Sequence, residues 1–276
     1  MRYASILFVL LLFNPSSVRA GVTTGLVAWY PFNLDMLDAS GVGNHGSPVG
    51  GVVPTIDRFG TPDGAYEFNG TNSYIFVANS TSLSSPDTAV TQAAWVMPYG
   101  PSLVGQAFGP VTMKSASAPN AFMYRLIATP DGTFGSSYND WFNFYGDEYP
   151  AADEWHHVAS VFDGDHVRLY LDGVRVDSLA APLTITPGPQ DLTIGGDIPG
   201  ILEIFNGKID DVRIYSRALT DDDVAELCSC GSTGVGDTGR GRCVCADMRT
   251  TTRATAATST RLRCAGPISR KSPAWA

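Results

Sequence analysis

Apolar and polar positions alternate along most of the chain between residues 26 and 215, in short runs punctuated by Gly, Pro, Asn and Asp. The clearest stretch is 155–178. Trp155-His156-His157-Val158-Ala159-Ser160-Val161-Phe162 runs into Asp163-Gly164, and His166-Val167-Arg168-Leu169-Tyr170-Leu171 runs into Asp172-Gly173, which leads to Val174-Arg175-Val176. Asp-Gly between alternating runs predicts two tight hairpins, because both central residues of the favoured turn take positive φ. Val167, Leu169 and Leu171 then share one strand face, and Arg168, Tyr170 and Asp172 the other. A dry face backed by a wet one predicts an antiparallel sheet packed against a second sheet. Further strands are predicted over 26–32, 65–68, 74–78, 89–97, 110–113, 122–128, 141–145, 192–194 and 207–215. So many short strands without a long helical pattern predict an all-β antiparallel sandwich or jelly roll instead of an α/β fold. One short helix is predicted behind Thr220, with Asp221, Asp222 and Asp223 at its positive end and Val224 and Leu227 facing inward.

Both ends of the chain differ from this body. Met1-Arg2-Tyr3 precedes an apolar run from Ala4 to Phe13, then Asn14-Pro15 and Val18-Arg19-Ala20. Residues 1–20 therefore read as a secretory signal peptide, since a bilayer core needs roughly 20 apolar residues. No later segment has that length, so the mature protein is expected to be secreted and soluble, without a membrane span. Cys228, Cys230, Cys243, Cys245 and Cys264 are the five cysteines, and none precedes residue 228. Residues 229–276 hold eight basic side chains against Asp237 and Asp247, whereas residues 21–228 hold 8 basic and 25 acidic ones, a balance of −17. The switch predicts one domain over 21–228 and a separate basic, cysteine-containing tail that is disordered. Three readings of the tail stay open: a metal site, a disulfide-tethered extension, or a translated reading-frame error. Paired cysteines one residue apart are closer than the usual zinc spacing, and export favours oxidation. An acidic exported body excludes nucleic acid as the expected partner.

Four segments carry a resemblance. They are Gly25-Leu26-Val27-Ala28-Trp29-Tyr30-Pro31-Phe32 with the Asp38–Gly46 loop; Tyr66-Glu67-Phe68-Asn69-Gly70-Thr71-Asn72-Ser73-Tyr74-Ile75; the double hairpin; and Gly207-Lys208-Ile209-Asp210-Asp211-Val212-Arg213-Ile214-Tyr215 with the acidic helix behind it. In this order they resemble the laminin-G-like, concanavalin A-like lectin/glucanase jelly-roll family over residues 25–227. The resemblance implies two stacked sheets with the first strand beside the last. It also implies a role in glycan binding, protein adhesion or support of a larger enzyme, which the fold alone does not decide.

Candidate sites follow. The Asp38–Gly46 loop offers carboxylate, amide and backbone oxygens of the kind calcium takes, and alternation from Val212 and Ile214 puts Asp210 on the inward side. Asn33, Asp38, Asn44 and Asp210 are the candidate calcium ligands, unless Asp38 and Asp210 only brace the loop through hydrogen bonds. Asn69 and Ser73 are neutral where relatives are often acidic. For sugars, Tyr138, Trp141, Asn143 and Tyr145 combine aromatic faces with an amide; alternation puts Trp141, Asn143 and Tyr145 on one side and Phe142 and Phe144 on the other. Catalysis is not expected. None of Glu67, Glu148, Glu154, Glu203 and Glu226 is followed two residues later by Asp, so the paired carboxylates of a retaining glycosidase are missing. Asn69-Gly70-Thr71 and Asn79-Ser80-Thr81 match N-glycosylation acceptors. The expected function is a secreted, non-catalytic module binding an extracellular glycan or matrix protein. An adhesion module without a sugar site and a divergent polysaccharide hydrolase or lyase are the alternatives.

Overall fold

The computed structural model describes residues 21–104, 108–115, 122–131, 133–139, 142–197 and 203–229. Residues 1–20, expected to be a signal peptide, the tail from residue 230 and Trp141 lie outside them. Among the described residues fifteen strands, numbered in chain order, form two antiparallel sheets. Sheet I runs β13 (Val174–Ala180), β12 (His166–Leu171), β11 (His156–Phe162), β6 (Val90–Gly100), β15 (Asn206–Tyr215), β4 (Ala65–Asn69), β3 (Val53–Thr55), with β1 (Leu26–Tyr30) also on β15. Sheet II runs β10 (Phe142–Tyr145), β9 (Phe134–Tyr138), β8 (Phe122–Ala128), β7 (Pro110–Ser115), β14 (Asp191–Ile194), β5 (Tyr74–Val77), β2 (Ser47–Val49). The expected sandwich is the fold observed, and the first strand does lie beside the last, with Trp29 opposite Arg213 and Tyr30 opposite Val212.

The core fills from both sheets, with Val96, Val158, Leu169, Ile209 and Ile214 from sheet I against Leu126, Phe134, Leu192 and Ile194 from sheet II. Two buried hydrogen bonds cross it: the Tyr138 and Ser160 hydroxyls lie 3.0 Å apart, and Thr112 donates to Gln92 Oε1 at 2.7 Å. Each satisfies polar groups that would be costly to bury alone. The outward face of β11 and β12 is not wet, contrary to the alternation. Of two helices among the described residues, α1 (Thr81–Ser84) and α2 (Asp221–Ser229), α2 and the approach to it lay Leu219, Val224 and Leu227 over Ala159, Val161, Tyr170 and Tyr215. Its start is set by reciprocal hydrogen bonds, Asp223 N–H to Thr220 Oγ1 and Thr220 N–H to Asp223 Oδ2, both 3.1 Å, the logic of a capping box.

Of the two Asp-Gly turns, one matches the expectation. Asp172 and Gly173 have φ of 51° and 75°. In the other only Gly164 is positive, and Asp163 Oδ1 instead accepts from the N–H of Asp165 and His166 in a longer turn. Strands β2, β3 and β9 were not legible. β2 and β3 are three-residue edge strands that each carry a proline. β9 reads Phe-Gly-Ser-Ser-Tyr, whose small residues look like a loop until neighbours on both sides bury them.

The placement of Asp210 needs correcting. Between Asp210, opposite Trp95, and Arg213, opposite Ala93, the β15–β6 register shifts, and Asp211 takes φ 49°. This bulge inserts an extra residue, so the alternation does not carry through it. Ile209 joins Val212 and Ile214 in the core, and Asp210 falls on the outer face with Trp95. The bulge also marks where β15 changes partner along one edge, from β4 at residues 206–209 to β1 at 212–215.

Candidate functional site

The strongest candidate lies at one corner of sheet II's outer face, where β8, β9 and β10 meet. In β10, Phe142 and Phe144 pack toward the core, while Asn143 and Tyr145 are exposed. Asn143 stands opposite Ser137 of β9, and Ser137 opposite Arg125 of β8, so one row crosses three strands. Tyr145 stands opposite Gly135. A Cβ at Gly135 would lie 2.4 Å from Tyr145 Cδ1 and 2.2 Å from the Phe144 carbonyl oxygen, so only glycine lets the tyrosine lean across β9. Phe108 stacks on the Tyr145 ring, with centroids 6.1 Å apart and planes 11° from parallel.

Beneath these two residues, Arg125 is the organising charge. Its side chain is buried, and Nη1 donates to Glu203 Oε2 at 2.9 Å. Nη2 donates to Ser137 Oγ at 3.2 Å and to the Tyr145 hydroxyl at 3.4 Å. The guanidinium also lies 5.6 Å from the Phe108 ring centre. Ser137 passes the polarity on, donating to Asn143 Oδ1 at 2.7 Å. Burial raises the Glu203 carboxyl above the ordinary carboxylate range, and Arg125 opposes that rise. Tyr145 is 39% exposed. Its phenol oxygen accepts from Arg125 and Asn143 accepts through Oδ1, and the two residues also carry donors, the phenol O–H and the amide N–H groups. A flat apolar surface flanked by amide and phenol donors suits the C–H face and hydroxyls of a sugar.

Tyr138, expected in this site, is instead fully buried. It follows the inward side of β9, touches Phe142 and Phe162, and bonds Ser160 across the core. Of the four residues expected to bind sugar, the structure therefore brings together Asn143 and Tyr145. Arg125, Ser137, Phe108 and Glu203 were missed. Arg125 was nonetheless marked in the sequence as the one charge between the apolar Tyr124 and Leu126.

The residues proposed for calcium fall into separate networks. Asp38 Oδ1 accepts from the N–H of Trp29 (2.9 Å) and Ser40 (2.8 Å), and Oδ2 from Ser40 Oγ (2.8 Å), Gly43 N–H (3.0 Å) and Asn44 N–H (2.9 Å). These donors hold its carboxyl below the usual value although burial pushes the other way. Asn44 donates its side-chain N–H to the Val27 carbonyl and to Ser82 Oγ. Asp210 is ion-paired with Arg58, and Asn33 is exposed. Among the described residues no group of three or more His, Cys, Asp or Glu is placed to hold a metal ion.

Around Asp210 the outer face of sheet I carries a second polar cluster. Arg58 stacks on Trp95, 4.9 Å from the ring centre, and Trp95 meets His157 edge-on at 5.5 Å. Arg213 lies 4.8 Å over Trp29, whose indole N–H donates to Asp211 at 2.6 Å; Asp211 is also paired with Arg213 at 3.1 Å. Burial lowers the His157 pKa to about 4, ahead of the opposing pull of Asp211 and Asp172. Its ring is therefore neutral at pH 7.

Two stacked antiparallel sheets closed by the pairing of first and last strands, with an exposed aromatic corner, define a concanavalin A-like module. The chain belongs to the concanavalin A-like lectin/glucanases superfamily, whose model matches residues 69–225. Domain 4 of AbnA, a GH43 extracellular arabinanase from Geobacillus stearothermophilus solved with arabinotriose, is 22% identical; the match covers 74% of this chain and 98% of that one, with a TM-score of 0.58. The binding domain of Paraclostridial Mosquitocidal Protein 1 is 17% identical over 75% of this chain and 52% of its own, with a TM-score of 0.58. A botulinum neurotoxin type C structure, whose cell entry depends on two ganglioside molecules, is 12% identical over 75% and 51%, with a TM-score of 0.54. This chain spans about half the length of those toxin chains. At such identities the likeness is one of fold, and it is shared with domains that bind.

Proposed function

We propose that the protein is a secreted, non-catalytic carbohydrate-binding module that takes its glycan at the β8–β10 corner of sheet II. The observation that carries this is the exposed pair Asn143 and Tyr145, set on a buried base of Ser137, Arg125 and Glu203 whose hydrogen bonds fix both side chains before any ligand arrives. Such preorganisation spares a ligand the cost of ordering the site. The arabinotriose bound by the AbnA domain and the gangliosides of the neurotoxin support a saccharide as ligand. Binding is favoured over hydrolysis because Glu203 is committed to Arg125 and no Glu-x-Asp pair occurs in the sequence.

A glycan array followed by calorimetry tests this. The expected result is an oligosaccharide hit whose affinity falls about tenfold in Tyr145→Ala, the loss of roughly one aromatic contact. An unchanged affinity in Tyr145→Ala sinks the site, and an array without hits sinks the function. One observation favours adhesion as a second reading. Leu34, Leu37, Val42, Val53, Ile56 and Phe59, all within residues 34–59, account for six of the ten large hydrophobics exposed among the described residues, a concentration that suits a protein contact.

A further inference from the structure

We propose that Glu203 makes this corner selective for uncharged glycans by cancelling the charge of Arg125 in advance, an inference that rests on the glycan-binding reading above. Arg125 is the cation beneath the Asn143–Tyr145 pair, and a lone arginine there would draw the carboxylate of a sialylated or uronate sugar. Glu203 already occupies that role. It reaches in from the segment between β14 and β15, whose ends are tied by the Gly196–Ile204 bridge and by Asp197 N–H to the Glu203 carbonyl at 2.8 Å. Its carboxylate takes Nη1 of the guanidinium, while Ser137 and Tyr145 take Nη2. Both partners of the ion pair are buried, with side-chain exposures of 6% and 9%, so solvent screens them little.

A carboxylated glycan therefore meets an anion where it seeks a cation. It must either displace Glu203 or bring a second negative charge beside it, and like charges brought together oppose binding. The −17 balance of residues 21–228 acts in the same direction at longer range. A neutral sugar avoids this repulsion. It needs only the ring of Tyr145, the phenol and the Asn143 amide, none of which depends on net charge.

The test measures the affinities of wild type, Glu203→Gln and Glu203→Asp for arabinotriose and for a sialylated trisaccharide, at low and high ionic strength. Wild type is expected to favour the neutral ligand by about tenfold or more. Glu203→Gln, which also loosens the base under Asn143 and Tyr145, should shift the ratio of sialylated to neutral affinity about tenfold or more toward the sialylated ligand, with the shift weakening in salt. Glu203→Asp keeps the charge and should keep the selectivity. Because breaking a buried ion pair is able to unfold the single variant, the Arg125→Gln/Glu203→Gln double variant is measured beside it and should show no shift toward the sialylated ligand. Equal wild-type affinity for both ligands, or a folded Glu203→Gln that binds the neutral ligand without shifting the ratio toward the acidic one, overturns the charge-selection role and leaves the glycan site standing. Failure of wild type to bind either ligand overturns the site itself, and the selectivity with it.

Discussion

On the outer face of sheet I, Trp29 and Trp95 are half-buried, each with an arginine over its ring and an aspartate holding that arginine, and helix α2 seals the neighbouring surface. On the outer face of sheet II, Tyr145 is also beside an arginine, but that arginine lies beneath it and the ring remains open to solvent. The same residue types thus serve two ends. When the guanidinium sits on top of the aromatic face, the face is used up within the protein and contributes to stability. When it sits below and grips only the phenol oxygen, the part of the ring not covered by Phe108 and β9 is left for a partner. What separates the two is local backbone: the Asp211 bulge swings Asp210 outward to meet Arg58, and Gly135 clears the space into which Tyr145 leans.

The largest consequence of this contrast is expected at Arg58. Removing one member of a buried ion pair strands the other, at about 3–5 kcal/mol, so Arg58→Ala should lower urea-unfolding stability by that order. Affinity for glycan should be unchanged in whatever fraction remains folded. A loss under 1 kcal/mol would mean that the sheet I network is not what holds this face.

Acid should expose the same network. The His157 imidazole titrates near 4 in the folded protein and near 6.5 when unfolded. The unfolded chain therefore takes up this proton first, and the contribution of His157 to stability falls as pH drops from about 6.5 to about 4. The slope for one such group is about 1.4 kcal/mol per pH unit, reaching about 3.4 kcal/mol across the roughly 2.5 pH units between the two values. Above pH 6.5 neither state is protonated and the group contributes nothing. Chemical denaturation of His157→Asn across pH 4–7 should give a flatter curve than wild type, and superimposable slopes would show that burial does not hold the imidazole neutral.

At Gly135 the effect moves to the other face. Gly135→Ala puts a methyl group into the Phe144 carbonyl and the Tyr145 ring, costing about 1–3 kcal/mol and displacing the ring. Melting should show a modest loss and calorimetry a larger proportional loss of glycan affinity; intact binding would remove Tyr145 from the site. The smallest expected effect is that of a chelator. With its acceptors filled by N–H and O–H donors, Asp38 is expected to brace its loop through hydrogen bonds, so the melting midpoint should not move. A fall on chelation would restore calcium to the Asp38 loop.

How much of this was readable beforehand varies with the physics involved. The strands of the double hairpin, the pairing of Leu26–Tyr30 with Asn206–Tyr215 and the split of Phe142 and Phe144 from Asn143 and Tyr145 were all legible. The hairpin strands and the split within 142–145 follow from a strict two-residue period, and the pairing of first and last strands is what the family resemblance implied. Asp210 was misplaced because a bulge breaks that period while leaving no clear mark in the residues Ile-Asp-Asp-Val. Tyr138 was misplaced because β9 did not look like a strand, so its inward side was unassigned. The Arg125–Glu203 pair joins residues 78 positions apart. Nothing local specifies such a partner, although an arginine between two apolar core residues announces that one must exist.

The central claim is that sheet II's corner is open for glycan while sheet I's face is closed. Titrating labelled protein with arabinotriose and following amide and side-chain shifts by NMR tests both halves together. Saturable shifts confined to Arg125, Ser137, Asn143 and Tyr145, with the indole N–H signals of Trp29 and Trp95 unmoved, are the predicted result. Shifts centred on the two indoles, with Tyr145 silent, would contradict it.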